Sequence, residues 1–506
     1  MTRLLYVTLL AVSLVSATPL STYHDSPRRV SGMTVAPLYV EEHPHGTVNN
    51  SYIIMLKDGT APTLLANHMN FVQTVHAADP EADAFAGLTH VYDGHILGYA
   101  GKFSKNVIDH IRMMPEVDYV EHDQVVRTLE VERHTDFETE KHATQKGAPW
   151  GLARISHRAK LTFSTFTKYE YDTDGGAGVD VYVIDTGINT KHVEFEGRAS
   201  WGKTIPQNDV DEDGNGHGTH CAGTIASRKY GVAKAANVIA VKVLGSNGSG
   251  TMSDVVGGVT WAAKAAADKA KAALEEFRRT GKTSHKGSVA NMSLGGGKSR
   301  ALDDVVNRAV DNGIHFAVAA GNDNKDACNN SPAAAEKAIT VGASTLGDER
   351  AYFSNHGPCV DVFAPGLNIL STYIGSNSSI TTMSGTSMAS PHTAGLLAYL
   401  LSLYPSVTFN PSVAPDLAAL KVQSLSTPSL ANAYALAYQA MPSWVATFLP
   451  PPELVSQEPA FAPVPNPTLS PAQLKKALLA LATEGVFSEL PSGTPNLLIY
   501  NNATIA

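Results

Sequence analysis

The chain has 506 residues, 43% hydrophobic and 17% charged, a balance that excludes wholesale disorder and gives room for about two to four ordinary domains. Lys plus Arg number 38 against 47 Asp plus Glu, for a net charge of −9, and no basic block is long enough to track a phosphate backbone. No nucleic-acid partner is expected, and no membrane span, since no internal stretch reaches about 18 uninterrupted apolar residues.

Met1-Thr2-Arg3, apolar residues 4–15 and small Ser16 and Ala17 have the charged, apolar and small-residue order of a secretory leader, with cleavage expected after Ala17. In the oxidising compartment that follows, the three cysteines, Cys221, Cys328 and Cys359, allow one disulfide and leave one thiol. A small mixed unit then reads as strand 51–57, helix 64–75, strand 95–103, helix 105–114 and strand 117–123. Residues 127–147 turn polar without periodicity, which reads as an exposed linker open to proteolysis.

After Pro149-Trp150-Gly151 the pattern changes to strands alternating with helices, the mark of a parallel sheet covered on both faces. Strands are expected at 179–184, 238–243, 288–294, 314–320, 338–343 and 360–364, with helices at 217–227, 253–279 and 302–312. The charged end of the long helix, residues 264–286, reads as a solvated face. Residues 406–469 are rich in Pro, Ser and Ala, an insertion by composition. A helix at 470–482 and a strand-like end at 495–500 close the chain, and no repeat of solenoid period is present.

Chemistry in such sheets gathers at the carboxyl ends of the strands. Asp185-Thr186-Gly187 sits at one; an acid there can also hold a ribose hydroxyl, but the G-x-G-x-x-G turn that this requires does not follow. His217 lies between glycines at a helix start, with His220 and Cys221 close by. These three are too local for a zinc site, and Cys221, one helical turn after His217, reads as a buried thiol beneath it. Asn322 follows the strand 314–320 and by itself reads as a turn residue. Gly385-Thr386-Ser387-Met388-Ala389-Ser390-Pro391-His392 places a serine at a buried helix start, where it is either a cap or a group beside N–H donors that can hold an oxyanion.

Asp185, His217 and Ser387 fall in the chain order of subtilisin-type triads. Asp185-Thr186-Gly187-Ile188, His217-Gly218-Thr219-His220, Ser293-Leu294-Gly295-Gly296, Ala319-Ala320-Gly321-Asn322 and the serine stretch together resemble the subtilase family. Residues 148–158 with Asn496-Leu497-Leu498-Ile499-Tyr500-Asn501 resemble its fungal cerevisin branch, within the proteinase K-like group.

The resemblance implies an α/β, subtilisin-like three-layer fold with a mainly parallel central sheet, preceded by a small α+β ferredoxin-like propeptide domain. Residues 1–17 would be the signal and 18–135 the propeptide, with its inhibitor-like part at about 51–126. Residues 136–506 would be the catalytic domain. The implied activity is a serine endopeptidase of broad specificity, made as a zymogen. Asp185, His217, Ser387 and Asn322 would be catalytic, and Gly248, Ser249, Gly250, Ser293, Leu294, Gly295, Ala319, Ala320 and Gly321 would bind substrate. The resemblance further implies a Cys328–Cys359 disulfide, no required cofactor, and calcium as an option at Asp361 with carbonyls near Glu336 and Ala338. The expected partners are protein and peptide substrates and the chain's own propeptide, the expected state a monomer, and the destination the vacuole or the outside. A catalytically silent subtilase fold that only binds is the rival from another class, and acid-active sedolisins, which lack the histidine, are the rival enzymes. Asn49, Asn247, Asn291, Asn329, Asn377 and Asn502 stand in Asn-x-Ser/Thr sites.

Overall fold

The computed structural model describes residues 29–30, 33–40, 46–60, 62–80, 87–128, 131–132, 144–406, 409–411 and 468–503. The leader and almost all of the Pro-rich stretch lie outside these residues. By its contacts the chain divides into two units, Met1–Val91 with Leu97–Asp123, and Tyr92–Ile96 with Gln124–Ala506.

The smaller unit is built on strand Thr47–Leu56, whose last six residues are buried. Helix Pro62–Ala78, strand Gly87–Asp93, strand Leu97–Lys102, helix Lys105–Arg112 and a strand beginning at Val117 follow. This is the βαββαβ order of a ferredoxin-like unit. Strands Thr47–Leu56 and Leu97–Lys102 pair antiparallel, Ile53 opposite Ala100. The Ser104 hydroxyl caps the second helix by accepting from Val107 N, and Ile54, Tyr99, Phe103, Val107, Ile111 and Val120 close the core. The strand Gly87–Asp93 is absent from the sequence reading because its exposed and half-buried middle gives no clear alternation.

The larger unit carries a nine-stranded sheet in the order Ala199–Thr204, Asn237–Lys242, Val179–Asp185, Gly287–Met292, His315–Ala319, Ile339–Ser344, Val362–Pro365, Leu497–Leu498, Thr483–Glu484. All neighbours are parallel except the last pair. Every residue of Val179–Asp185 is buried, as a central strand covered on both faces demands. Alternate side chains then serve different layers. Val181 and Val183 join the cluster holding Cys221, Ile225 and Leu397 of helices His217–Ala226 and Thr386–Leu403. Tyr182 instead meets Trp261 of helix Met252–Thr280 edge-on at 6.2 Å, on the opposite face.

Three parts differ from the sequence reading. The edge strand Ala199–Thr204 and the hairpin Ile369–Thr372 with Ile380–Ser384 were not expected; their polar residues hide the pattern. The polar linker is bounded by strand: pairing runs on to Thr128, and Thr144–Lys146 pairs antiparallel with Lys168–Glu170. Helix Pro471–Leu481 resumes the fold after the insertion, started by a capping box between Ser470 and Gln473. The two cerevisin-like stretches meet in space: Asn501 N donates to Ile155 O at 2.8 Å, and the Arg158 guanidinium lies 4.0 Å over the Tyr500 ring.

Candidate active site

Asp185 ends its strand at the carboxyl edge of the sheet, fully buried. Its Oδ1 accepts from Thr186 N at 2.8 Å and from His217 Nδ1 at 2.7 Å. His217 is the first residue of its helix, after Gly216 at φ 101°, a left-handed angle that glycine adopts without strain. At Gly218 a Cβ would come within 2.2 Å of the Gly187 carbonyl, so only glycine lets this helix start lie against the Asp185 turn. Burial disfavours charge on the His217 imidazole, but the Asp185 carboxylate outweighs it and holds the pKa well above the ordinary histidine value. In the neutral ring, Nδ1 donating to Asp185 leaves the lone pair on Nε2, and this buried atom has no hydrogen-bond partner among the described residues.

Asp213, which the sequence reading missed, fixes that arrangement. Its Oδ1 accepts from Thr186 Oγ1 at 2.8 Å and Gly216 N at 2.8 Å, and its Oδ2 from Thr219 N at 2.9 Å and Thr219 Oγ1 at 2.6 Å. The Thr186 hydroxyl in turn accepts from Gly218 N at 3.0 Å. One carboxylate thus ties the Asp185 turn to the His217 helix. The buried Lys242 ammonium holds the preceding loop, donating to Glu212 O at 2.8 Å with Asp209 Oδ1 at 3.0 Å.

Ser387 lies in the first turn of Thr386–Leu403, and its carbonyl accepts from Ser293 Oγ at 2.8 Å and Cys221 Sγ at 3.4 Å. Asn322 reaches the same turn: its Oδ1 accepts from Thr386 N at 2.9 Å and Thr386 Oγ1 at 2.8 Å. Since a backbone N–H can only donate, this contact fixes which end of the amide is oxygen. Asn322 Nδ2 is left buried with no partner among the described residues. Asn355, also missed by the sequence reading, braces the loop: Nδ2 donates to Ala320 O at 2.9 Å, and Oδ1 accepts from Asp323 N and Lys325 N. Gly321 N donates to Thr386 Oγ1 at 3.1 Å, so the Ala319-Ala320-Gly321 wall is tied to the residue preceding Ser387.

The expected substrate-binding segments form a groove already holding a strand of the same unit. Residues 125–127 run antiparallel to Ser249–Thr251, with Arg127 opposite Ser249 and Val126 opposite Gly250. On the other side Arg127 is opposite Gly295 and Thr128 opposite Leu294. Thr128 N also donates to Gly248 O at 3.0 Å. Farther along, Val131 and Glu132 pair antiparallel with Ser384 and Met383, just before Gly385.

The remaining expected groups are placed as follows. Cys328 and Cys359 form the disulfide, and Cys221 is a free buried thiol whose pKa burial pushes up. His220 turns away from His217 to Ile369 O at 2.9 Å, and burial pulls its pKa down to about 3, so the local histidine pair does not converge on an ion. Asn291 is fully buried, donating to Ser293 Oγ and accepting from Ser390 Oγ, which leaves no room for a glycan. The oxygens at Glu336, Ala338 and Asp361 do not fit a calcium ion as they stand, because the Lys475 ammonium sits on all three.

A profile of the subtilase family matches residues 176–421, and one of peptidase inhibitor I9 matches residues 51–129. The subtilisin-like serine protease Pen ch 18 of Penicillium rubens is 51% identical over 96% of this chain and 86% of its own length. Alkaline protease 2 of Aspergillus fumigatus is 50% identical over 90% of this chain and 81% of its own. The crystal structure of a cold adapted subtilisin-like serine proteinase superposes with a TM-score of 0.51 at 38% identity, over 70% of this chain and 99% of that one.

Proposed function

The chain belongs to the subtilase family and is a serine protease made as a zymogen with an I9-type inhibitor segment, and from that premise we propose that Ser387, His217, Asp185 and Asn322 carry the reaction. His217 Nε2 takes the proton of Ser387 Oγ as that oxygen bonds to the scissile carbonyl carbon. It then delivers the proton to the leaving amine as the C–N bond breaks. Asp185 holds the tautomer and stabilises the imidazolium. Asn322 Nδ2 and the Ser387 backbone N–H donate to the carbonyl oxygen as its negative charge develops. The observation that carries this reading is the pair of buried atoms without partners among the described residues, His217 Nε2 and Asn322 Nδ2, each on a side chain whose orientation a neighbour fixes. Groups kept dry and unpaired are expensive unless a ligand completes them.

Substrate binds by strand addition, its backbone pairing with residues 248–250 and 293–295, and residues 125–128 in the same groove support this mode. Ala319, Ala320 and Gly321 bring no charge to the pocket beneath the side chain preceding the cut bond, which favours apolar and aromatic residues. Thr128 pairs with Leu294, whose neighbour Ser293 donates to Ser387 O, and Val131 pairs with Ser384, three residues before Ser387; this supports a first self-cut within the bonds joining residues 128–131, with later trimming to the boundary near residue 135. The leader read in residues 1–17 supports entry to the secretory route, with the vacuole or the outside as destination and a monomer as the working form.

A fluorophosphonate probe near neutral pH should label wild-type protein and not Ser387→Ala; label persisting in that variant refutes the assignment. Timed N-terminal sequencing of self-processed precursor should find Leu129, Glu130 or Val131 first. An earliest terminus elsewhere, or full caseinolytic activity from an uncut chain, rejects the proposed maturation.

A further inference from the structure

Lys475 lies on helix Pro471–Leu481, and its ammonium donates to Glu336 O at 3.0 Å, Ala338 O at 2.6 Å and Asp361 Oδ2 at 2.9 Å. Glu336 and Ala338 precede strand Ile339–Ser344, and Asp361 precedes its parallel neighbour Val362–Pro365. The cluster therefore lies at the amino ends of these strands, whereas Asp185 and Asn322 lie at carboxyl ends. Asp361 Oδ2 also accepts from Thr340 N at 2.9 Å, and Asp361 N donates to Thr340 O, so backbone contacts hold the carboxylate in addition to the lysine.

Two backbone carbonyls and a carboxylate converging on one point form a hard-oxygen set, the donors a divalent cation such as calcium prefers. An ammonium has three N–H donors and one positive charge, and here its three acceptors match them one for one. Burial raises the Asp361 pKa, and the Lys475 ammonium and the Thr340 N–H act in the opposite direction, favouring the carboxylate. The Lys475 and Asp361 side chains are 20% and 23% exposed, enough for water to complete a metal's coordination if the ammonium were withdrawn.

We propose that the Lys475 ammonium is a covalently tethered counter-cation that fills a hard-cation site on Glu336, Ala338 and Asp361, and that its removal opens this site to calcium. The tether also joins the helix following the Pro-rich stretch to the central sheet, so the late part of the fold is held without a dissociable ion at this point.

The test is thermal unfolding of the full chain carrying Ser387→Ala to prevent self-digestion, in chelator and in millimolar calcium. Lys475→Met in that background should melt about 2–4 °C below its parent in chelator and recover most of the loss in calcium. The parent should lack that recovery, and so should Lys475→Met combined with Asp361→Asn. A calcium response in Lys475→Met no larger than the parent's overturns the proposal, as does an enhanced response that survives in the double variant. Should Lys475→Met not accumulate, Asp361→Asn in the parent decides: an unchanged calcium response is expected, and loss of a parent response refutes occupancy by the lysine.

Discussion

The two ends of one parallel sheet treat their carboxylates in opposite ways. At the amino end Asp361 is met by Thr340 N and Lys475, and the Lys475 ammonium spends all three of its donors. At the carboxyl end Asp185 Oδ2, His217 Nε2 and Asn322 Nδ2 remain buried without partners among the described residues. The first arrangement is complete and can only hold. The second is incomplete among the described residues, and on the function proposed above a reacting molecule supplies its missing partners. What separates them is hydrogen-bond completeness as well as burial: both pair an acid with a nitrogen group, but Asp361 and Lys475 are part-exposed with their partners in place, whereas Asp185 and His217 are fully buried.

This contrast can be broken by substitution, and the expected effects descend in order. Asp185→Asn should lower kcat by about 10⁴-fold while the fold persists. It should also move the acid limb of kcat/KM. The working base is neutral His217, and Asp185 raises its pKa, so wild-type activity should fall below a pH higher than 6.5. Without the carboxylate, burial alone acts on the ring and the limb should shift to lower pH; an unmoved limb contradicts the pairing. Asn322→Ala should cost about 10²- to 10³-fold in kcat with little change in KM, as removal of a transition-state donor requires. Asp213→Ala and Asn355→Ala should each cost about 10- to 10²-fold in kcat through misplacement of His217 or Asn322. Unchanged kcat in steady-state assays of these variants would reduce both residues to loop supports. Lys475→Met should leave kcat/KM unaltered and change only the melt.

The groups proposed as catalytic are legible in the sequence because each sits in a short local signal, a strand end, a glycine-flanked helix start or a Gly-Thr-Ser turn. The residues that aim them are not. Asp213 is one acid among several in residues 209–213, and Asn355 stands in a loop with no periodicity; only tertiary contacts select them. Lys475 lies within the expected helix without a signal of its own, and only the placing of that helix against the strand ends brings it to Asp361. Arg127 and Thr128 read as the start of a linker because their pairing partners are more than 100 positions away in sequence. Val179–Asp185 was visible at once, being apolar on both faces, whereas the edge strand Ala199–Thr204 has no such run.

If substrate takes the place of the strand that holds Arg127 between Ser249 and Gly295, as proposed above, the groove decides which proteins are digested. Once that strand has left, two facing edges remain about 9–10 Å apart, the width of two strand spacings. A single extended chain satisfies both edges; a helix, or a strand still paired to its own sheet, cannot. Selection therefore falls on backbone availability before it falls on side-chain identity. A folded protein is cut at a rate proportional to the fraction of time one of its segments is locally open, and its thermodynamic stability becomes its resistance to this enzyme.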